Sequence, residues 1–320
     1  MHELKIGKND AGQRLDKFIS KALDLPISLL YKSIRTKKIK VNRKRAENNT
    51  VLCEGDVVQC FLSDEFFERR TDKSSYESIT PHLDIIYEDE NIMLLNKRPG
   101  VSVHEDERGS TSTLITHIIA YLYQKGEYNP DSEQSFTPAL CNRIDRNTGG
   151  IVIAAKNAEA LRVMNEKIKR REIDKYYLAA VHGVPSPESA TIKAYLLKDE
   201  ERNIVRVYDK NPPRAAKEII TKYKVIAKKN ETSLIEVELL TGRTHQIRAH
   251  MAHIGHPLVG DGKYGVNRAD RTRGYKYQAL YSYKLRFSFD TGEPTVLDYL
   301  YGKEFRISKK DIYFTEEYFK

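Results

Sequence analysis

The 320-residue sequence contains no tryptophan and only three cysteines, Cys53, Cys60 and Cys141. The cysteines form no CxxC pair, and an odd count argues against a disulfide framework, so we expect three buried, inert thiols. No segment approaches the roughly 20 apolar residues that a membrane-spanning helix needs. The polar start, MHELKIGKND, lacks the apolar run of a signal peptide. We therefore expect a globular protein in the cytoplasm, with no membrane partner.

The sequence is rich in positive charge. Lysine and arginine number 54 against 45 acidic residues, which gives a formal net charge of +9 and favours a polyanionic partner. Eight of these cations lie within residues 31–45, a segment without Asp or Glu. A basic segment of one sign favours phosphate binding over a merely solvated face. The residues expected to bind phosphates there are Lys32, Arg35, Lys37, Lys38, Lys40 and Arg43.

Apolar periodicity divides the chain into three parts. Residues 1–63 are predicted to form two helices followed by short strands, and residues 64–80 lose periodicity, which is typical of a linker. Residues 81–320 alternate strands with a few helices. The predicted fold class is α+β, with a large mixed or antiparallel sheet flanked by helices in the third part and a small α/β module before it.

A lone carboxylate stands out in residues 138–156. Asp145 lies between Arg143 and Arg146, on a loop that Gly149 and Gly150 close before a buried strand. Neighbouring cations favour the charged form of a carboxylate. Taken alone, these residues fit either a structural ion pair at a strand edge or a functional carboxylate.

A second stretch, residues 241–256, offers a partner for that carboxylate. Thr244 is predicted to cap a helix on which Arg248 lies at the edge of the buried face. A half-buried arginine needs a carboxylate or a phosphate, and Asp145 is the obvious candidate. On an earlier strand Tyr176 and Tyr177 point to opposite faces, so that one of them can line a cleft.

Four histidines lie within residues 245–256, which raises the question of a metal. Their spacing matches neither HExxH nor a zinc finger, and no acid or cysteine lies beside them, so we expect no metal. Residues 253–256, HIGH, match the signature of class I aminoacyl-tRNA synthetases, where it begins a helix. Here the tetrapeptide ends a predicted helix, and tRNA aminoacylation stays as an alternative.

Three ordered motifs resemble those of the RluA family of RNA pseudouridine synthases. They are NRIDRNTGG at 142–150, KYYLA at 175–179 and TGRTHQIRAH at 241–250, and LNKRPG at 95–100 resembles the family's lead-in. The likeness covers nearly the whole chain. Asn142 and Gly149 stand where the family usually has histidine and serine, so contacts to the target loop are expected to differ.

The first 63 residues resemble the RNA-binding module first described in ribosomal protein S-four. The likeness rests on RLDK at 14–17, IKVN at 39–42 and EGDVV at 54–58. In that family the second helix and the KVN strand face RNA. The resemblance therefore implies an RNA-binding module at residues 1–63, a linker at 64–80 and a catalytic domain at 81–320.

The family resemblance also implies roles for single residues. Asp145 is similar to the catalytic aspartate, which attacks the ribose anomeric carbon or the base, or promotes glycal formation. Tyr177 resembles the tyrosine that stacks on the flipped uracil, and Arg248 the arginine that bridges to the aspartate. Arg143 resembles the arginine that fills the vacated space. RNA contacts are expected from Arg143, Arg146, Thr148, Arg243, His245 and Gln246.

The activity implied is isomerisation of specific uridines in RNA, with large-subunit ribosomal RNA or pre-ribosomal particles as the expected target. The reaction needs no metal, redox agent or nucleotide cofactor, and a monomer is expected. A second reading is a non-catalytic RNA-binding or ribosome-assembly factor that retains the fold.

Overall fold

The computed structural model describes residues 1–67, 73–103, 113–265, 268–290, 292 and 294–319. Within these ranges the helices are α1 Leu15–Ala22, α2 Ile27–Arg35, α3 Lys73–Ser78, α4 Leu114–Gln124, α5 Ala158–Lys169, α6 Gln246–His253, α7 Arg268–Thr272 and α8 Glu316–Phe319. The strands are β1 His2–Lys5, β2 Ile39–Val41, β3 Lys44–Arg45, β4 Val57–Cys60, β5 Ile85–Glu88, β6 Ile92–Lys97, β7 Ala139–Leu140, β8 Gly149–Ala155, β9 Ile173–His182, β10 Ser189–Asp199, β11 Ile204–Tyr208, β12 Lys217–Lys229, β13 Thr232–Leu239, β14 Leu280–Phe287 and β15 Glu304–Arg306.

The chain forms two compact units. The first comprises Met1–His82, Ile115–Ala139 and Ala155–Arg162, and the second comprises Leu83–Leu114, Leu140–Ala154 and Val163–Lys320. Of the predicted linker, residues 68–72 lie outside the described residues, and its two ends form a short 3-10 helix, Asp64–Phe67, and α3. The domain boundaries proposed from the sequence stay a prediction.

The first unit contains a four-stranded antiparallel sheet in the order β1-β4-β2-β3. The apolar stripe of α1, including Leu15, Phe18 and Ile19, packs in one core with Leu30 and Ile34 of α2. Both helices were predicted from that periodicity. β1 was not, because HELK has a single apolar residue, Leu4, which is only half-buried.

The turns around β2 and β4 are tied together by one asparagine. Asn42 and Arg43 both have positive φ, which suits the two-residue hairpin turn between β2 and β3. Asn42 Nδ2 donates to Asp56 Oδ1 (2.7 Å), and Asn42 Oδ1 accepts from the Val57 N–H (2.9 Å). The KVN and EGDVV motifs are therefore in contact, and the contact fixes the hairpin that carries Arg43 and Lys44.

The second unit is built on an 11-stranded sheet in the order β11-β10-β12-β13-β9-β14-β8-β6-β5, with β15 beside β14 and β7 beside β8. β14 pairs in parallel with β8 and antiparallel with β9. The sheet is therefore mixed, and the predicted α+β class with a large mixed sheet is confirmed.

Two glycines allow β8 to lie close to β14. A Cβ on Gly150, whose φ is +117°, would collide with the backbone carbonyl of Ser282. A Cβ on Gly149 would collide with the ring of Tyr281, whose hydroxyl donates to Asn96 Oδ1 (2.6 Å). Tyr281 therefore excludes a side chain at position 149, where the family usually has serine. Asn142 is also used inside the fold, since its Oδ1 accepts from the Ile153 N–H (2.7 Å).

Helix α6 begins one residue later than predicted. Its N-cap is His245, in the left-handed conformation at φ 53°, and Thr244 lies outside the helix. The buried side chain of Gln246 shapes the chain before the helix, since its Oε1 accepts from the hydroxyl of Thr241 (2.9 Å) and the N–H of Arg243 (3.1 Å). A cap at Thr244 would accept the N–H of Gln246 or Ile247. The Gln246 N–H instead donates to the Arg243 carbonyl (3.1 Å), and the predicted cap is wrong.

The cysteines are all free, but their burial differs. Cys60 is buried and Cys141 half-buried, and burial raises the pKa of both thiols to about 12. Cys53 is exposed in the turn before β4, so the expectation of three buried thiols is wrong for this residue.

Candidate active site

The Asp145 loop and helix α6 meet at a charged contact. Arg248 Nη1 donates to Asp145 Oδ2 at 2.8 Å. The Asp145 side chain is 26% exposed and that of Arg248 only 8%. A turn bond from the Thr148 N–H to the Asp145 carbonyl (3.0 Å) shapes the loop. The ion pair predicted from the sequence is confirmed.

Arg248 is held from its other side by a residue that the sequence did not reveal. Its Nε donates to Asp261 Oδ2 (2.7 Å) and its Nη2 to Asp261 Oδ1 (2.9 Å), a bidentate contact. Asp261 is fully buried, and the N–H groups of Lys263 and Tyr264 also donate to its Oδ1. Burial favours the neutral acid, but Arg248 and these N–H groups outweigh it and lower the pKa of Asp261.

The pairing leaves one oxygen of Asp145 open. Arg248 Nη1 and, at 3.8 Å, His245 Nε2 both face Oδ2. Within the described ranges no hydrogen bond or ion pair reaches Oδ1. Since Arg248 is itself fixed by Asp261, the carboxylate has a defined orientation in which Oδ1 is the atom available to a substrate.

Tyr177 and Tyr176 lie on β9, in neighbouring positions with different surroundings. Tyr177 is 6% exposed, whereas Tyr176 is half-buried under Lys284, whose Nζ lies 4.0 Å from the ring centroid. Burial raises the pKa of Tyr177 to about 12, and the charge of Asp145 adds to the rise. Tyr177 therefore carries a neutral phenol that lies within the electrostatic influence of Asp145. Its stacking on uracil stays a prediction.

Lys97 anchors the Asp145 loop through hydrogen bonds from its buried ammonium group. This lysine is 1% exposed, and its Nζ donates to the carbonyls of Arg98 (3.1 Å), Val101 (3.0 Å) and Arg146 (2.8 Å). Three acceptors match the three N–H groups of an ammonium. Burial lowers the pKa of Lys97 to about 7, while the charge of Asp145 acts in the opposite direction. The lysine of the LNKRPG motif therefore ties its own turn to the residue after Asp145.

Lys97→Met is expected to lower kcat roughly 10- to 100-fold, because a small displacement of the Arg146 carbonyl moves Asp145.

Stability of the Lys97→Met variant at pH 7 should change little, since the desolvation of the ammonium is removed together with its three hydrogen bonds. A lowered pKa means that the folded state binds fewer protons than the unfolded state between pH 7 and 10. Wild type should thus gain stability over the variant as pH rises through that window, which denaturant titrations at several pH values will measure. An unchanged kcat would contradict the anchoring role, and Lys198→Met on β10 is the surface control.

The residues expected to face RNA around Asp145 divide into two groups. Arg143, Arg146 and Arg243 are exposed, and Arg146 Nε donates to the Gly100 carbonyl (3.0 Å). Thr148 and Gln246 are buried. Thr148 Oγ1 accepts from Gln278 Nε2 (3.2 Å), and Gln246 Nε2 donates to the Ile220 carbonyl (3.1 Å). The polar atoms of these two side chains bond inside the fold, and their contact with RNA stays a prediction.

The four histidines of residues 245–256 have separate partners. His245 contacts Tyr264, His250 Nδ1 contacts Thr221 Oγ1 at 2.9 Å, His253 pairs with Asp209 at 2.9 Å, and His256 contacts the carbonyl of His182. In the described part of the chain no group of three His, Cys, Asp or Glu residues is placed to hold a metal. The HIGH tetrapeptide lies at the end of α6, where His253 is the last helical residue.

The basic segment lies in the first unit, on α2, β2 and the turns around them. Lys40 is half-buried, and its Nζ lies 5.4 Å from the ring centroid of Phe61. The other cations expected to bind RNA are exposed: Lys32, Arg35, Lys37, Lys38 and Arg43. Five of these six cations are therefore exposed.

Comparison with known proteins identifies the family. A family model described as RNA pseudouridylate synthase matches residues 91–253, a range that includes Lys97, Asp145, Tyr177 and Arg248. The chain belongs to this family. It is thus an RNA pseudouridine synthase, an enzyme that isomerises uridines in RNA, and the expectation drawn from its motifs is confirmed.

Relatives of the synthase extend the likeness over most of the chain. Ribosomal large subunit pseudouridine synthase C of Buchnera aphidicola is 36% identical over 84% of this chain and 82% of that protein. The protein of the same name from Vibrio vulnificus is 34% identical over 90% of this chain and 89% of its own length. The chain therefore covers more than four-fifths of the length of each of these relatives.

Solved structures support the fold. Human RNA pseudouridylate synthase domain containing 4 has a TM-score of 0.55 at 19% identity, covering 70% of this chain and 88% of that chain. The corresponding human domain containing 1 has a TM-score of 0.53 at 23% identity, with coverages of 74% and 94%. At these identities the likeness concerns the fold of the synthase. Along its described residues no helix is long and apolar enough to cross a membrane.

Proposed function

We propose that this synthase isomerises uridines of large-subunit ribosomal RNA, with Asp145 as its catalytic carboxylate. The substrate class rests on the relatives named ribosomal large subunit pseudouridine synthase C, which are 36% and 34% identical over more than four-fifths of the chain. The catalytic assignment rests on the single observation that Arg248 and Asp261 orient the Asp145 carboxylate with Oδ1 open.

The chemistry requires the uracil N1–C1′ bond to break and a C5–C1′ bond to form, with the C5 proton lost and N1 protonated. No electron is gained or lost overall. Asp145 Oδ1 can serve each of three routes: attack on C1′, attack on the base, or removal of the C2′ proton to give a glycal. The fixed Oδ2–Arg248 contact fits all three, because each uses one carboxylate oxygen.

Access of uridine to Asp145 requires the base to leave its stack, which costs a few kcal/mol and least in loops. Tyr177 supplies the nearby neutral aromatic ring, and the exposed Arg143 is the cation proposed to occupy the vacated space. Within the residues described, Arg143 makes no side-chain hydrogen bond or ion pair. It is thus free to contact the RNA.

We also propose that residues 1–63 form an S-four-type RNA-binding module, that 64–80 link it to the catalytic domain at 81–320, and that the synthase acts as a cytoplasmic monomer. The observed order of two helices and three further strands, with Asn42 bonded to Asp56, supports the module. The exposed basic segment supports its contact with RNA phosphates.

The substrate proposal is tested by mapping pseudouridine in total RNA from cells with and without the gene. Deletion should remove one or more pseudouridines from large-subunit ribosomal RNA, and the wild-type gene should restore them. Losses confined to tRNA would contradict the ribosomal assignment while leaving the enzyme class intact. Purified protein that converts no uridine in a ribosomal transcript but binds it would instead support the assembly-factor reading.

The basic segment should govern the salt dependence of binding. Each phosphate neutralised contributes about 0.7 to 0.9 to the slope of log K against log salt. Lys32→Ala with Lys38→Ala should weaken RNA binding and reduce that slope by up to about 1.8, as measured by filter binding at several salt concentrations. Lys198→Ala with Lys210→Ala removes the same charge from exposed positions elsewhere and should leave the slope unchanged. Equal slopes for both double variants would argue against RNA contact by the segment.

A further inference from the structure

His245 lies beside Asp145 but is bonded on its other side. Its Nε2 is 3.8 Å from Asp145 Oδ2, and its Nδ1 is 2.8 Å from the hydroxyl of Tyr264. That hydroxyl also accepts the N–H of Val205 at 2.9 Å. A chain of polar contacts thus runs from Val205, near the start of strand β11, through Tyr264 and His245 to the proposed catalytic carboxylate.

The contacts decide which imidazole nitrogen carries the proton. Burial raises the pKa of Tyr264, so its hydroxyl is protonated at neutral pH and has one hydrogen to donate. With the Val205 N–H already on its oxygen, the hydroxyl is best satisfied by donating to Nδ1. The proton of the neutral ring then lies on Nε2. The opposite tautomer would place the Nε2 lone pair toward the carboxylate of Asp145, which is repulsive.

The ring is also neutral. Burial lowers the pKa of His245 to about 4, the charges of Arg248 and Lys263 act in the same direction, and those of Asp145 and Asp261 oppose them. A neutral N–H stabilises a carboxylate without adding a second cation beside Arg248. It therefore differs in kind from the ion pair already described.

The backbone at His245 is adapted to this position. Its φ of 53° is a left-handed conformation, which is uncommon for residues other than glycine. Gln246 holds it through its bonds to Thr241 and Arg243. The partly buried Tyr264 ring packs against an apolar cluster that includes Val205, Leu196 and Ala249. Its hydroxyl therefore has a fixed position as well.

We propose that His245 is a positioning residue that holds a neutral Nε2–H against Asp145 Oδ2, with its tautomer set by Tyr264. The donor shares Oδ2 with Arg248 and so directs Oδ1 toward the uridine. Asp261 and Tyr264 belong to one loop, residues 261–264, which through Arg248 and His245 controls both partners of the carboxylate. The inference deepens the isomerase activity and rests on Asp145 as its reactive group.

Two variants isolate the contact. Tyr264→Phe keeps the ring and removes only the hydroxyl. His245→Asn suits the left-handed backbone, can still meet Tyr264 with its short amide, and lacks the atom that faces Asp145. At 3.8 Å the Nε2–H acts on Oδ2 through electrostatic attraction without a formed hydrogen bond, so each variant should lower kcat severalfold, up to about tenfold, with RNA affinity unchanged. Tyr301→Phe, at an exposed position, is the control and should match wild type.

A spectroscopic measurement reads the tautomer directly. In protein with 15N-labelled histidine, the His245 signals, identified by their loss in His245→Asn, should show a protonated Nε2 and a bare Nδ1. Tyr264→Phe should shift that pattern toward the other tautomer. A protonated Nδ1 in wild type would overturn the proposal even if the variants fail to fold. So would a loss of RNA affinity in His245→Asn with kcat unchanged, since His245 would then be an RNA contact. If Asp145→Asn proves fully active, the proposed catalytic carboxylate fails independently of the tautomer.

Discussion

Asp145→Asn is expected to lower kcat by on the order of 10³-fold or more, with RNA affinity and stability close to wild type. The amide has nearly the shape of the carboxylate, and its oxygen can still accept the hydrogen bond from Arg248 Nη1. What it loses is the negative charge on the atom that faces the substrate. A neutral amide cannot act as a nucleophile on C1′ or as a base at C2′. The measurement is single-turnover conversion of uridine in a ribosomal transcript, with binding measured in parallel.

The matched control is Asp209→Asn. Asp209 also pairs with a residue of α6, His253 at 2.9 Å. Its side chain is exposed, and it has no proposed role in catalysis. Its loss should leave kcat unchanged. A fully active Asp145→Asn enzyme would refute the catalytic assignment, whereas a variant that binds RNA tenfold more weakly with normal kcat would make Asp145 an RNA contact.

The parts of the fold with strong local signals were predictable. Helices α1, α2 and α5 follow their apolar stripes, and Asn157 caps α5 as its sequence indicates, with Oδ1 accepting from the Ala160 N–H (2.8 Å). The hairpin of β5 and β6 follows its turn residues. β14 was not predicted, although it lies at the centre of the sheet. Its place beside β8 depends on the lack of side chains at Gly149 and Gly150. This close fit between distant parts of the chain is not indicated by the local sequence.

The Asp145–Arg248 pair of the site was predictable from the chemistry of the arginine. A half-buried arginine requires an anion, which led from Arg248 to Asp145. Asp261 could have been suspected as a lone acid among glycines in residues 260–265, but its two bonds to Arg248 arise from tertiary packing. Gln246 and Thr148 were expected to contact RNA because the family resemblance implied that role. Burial of both side chains could not be read from their sequence neighbours.

Arg248→Met is expected to lower the free energy of unfolding by about 3–5 kcal/mol, because it leaves Asp261 charged, buried and without its bidentate partner. The same variant should lose most activity, since Asp145 is no longer held. Urea denaturation measures the first effect and uridine conversion the second. The lowered pKa of Asp261 also fixes the sign of the pH dependence. Its stabilising contribution is present above its unfolded pKa of about 3.9 and is lost as pH falls through the folded value.

A double variant separates stability from catalysis. Arg248→Met with Asp261→Leu replaces the buried pair by apolar side chains, a change that is often neutral for stability. Here a loss of about 1–3 kcal/mol should persist, because the N–H groups of Lys263 and Tyr264 lose the acceptor that Asp261 gave them. The double variant should thus be more stable than Arg248→Met alone, yet equally inactive. If activity returned together with stability, Arg248 would serve only the fold, and Asp145 would need no cation to hold its carboxylate. If stability did not return, the cost of Arg248→Met would not lie in an unpaired Asp261.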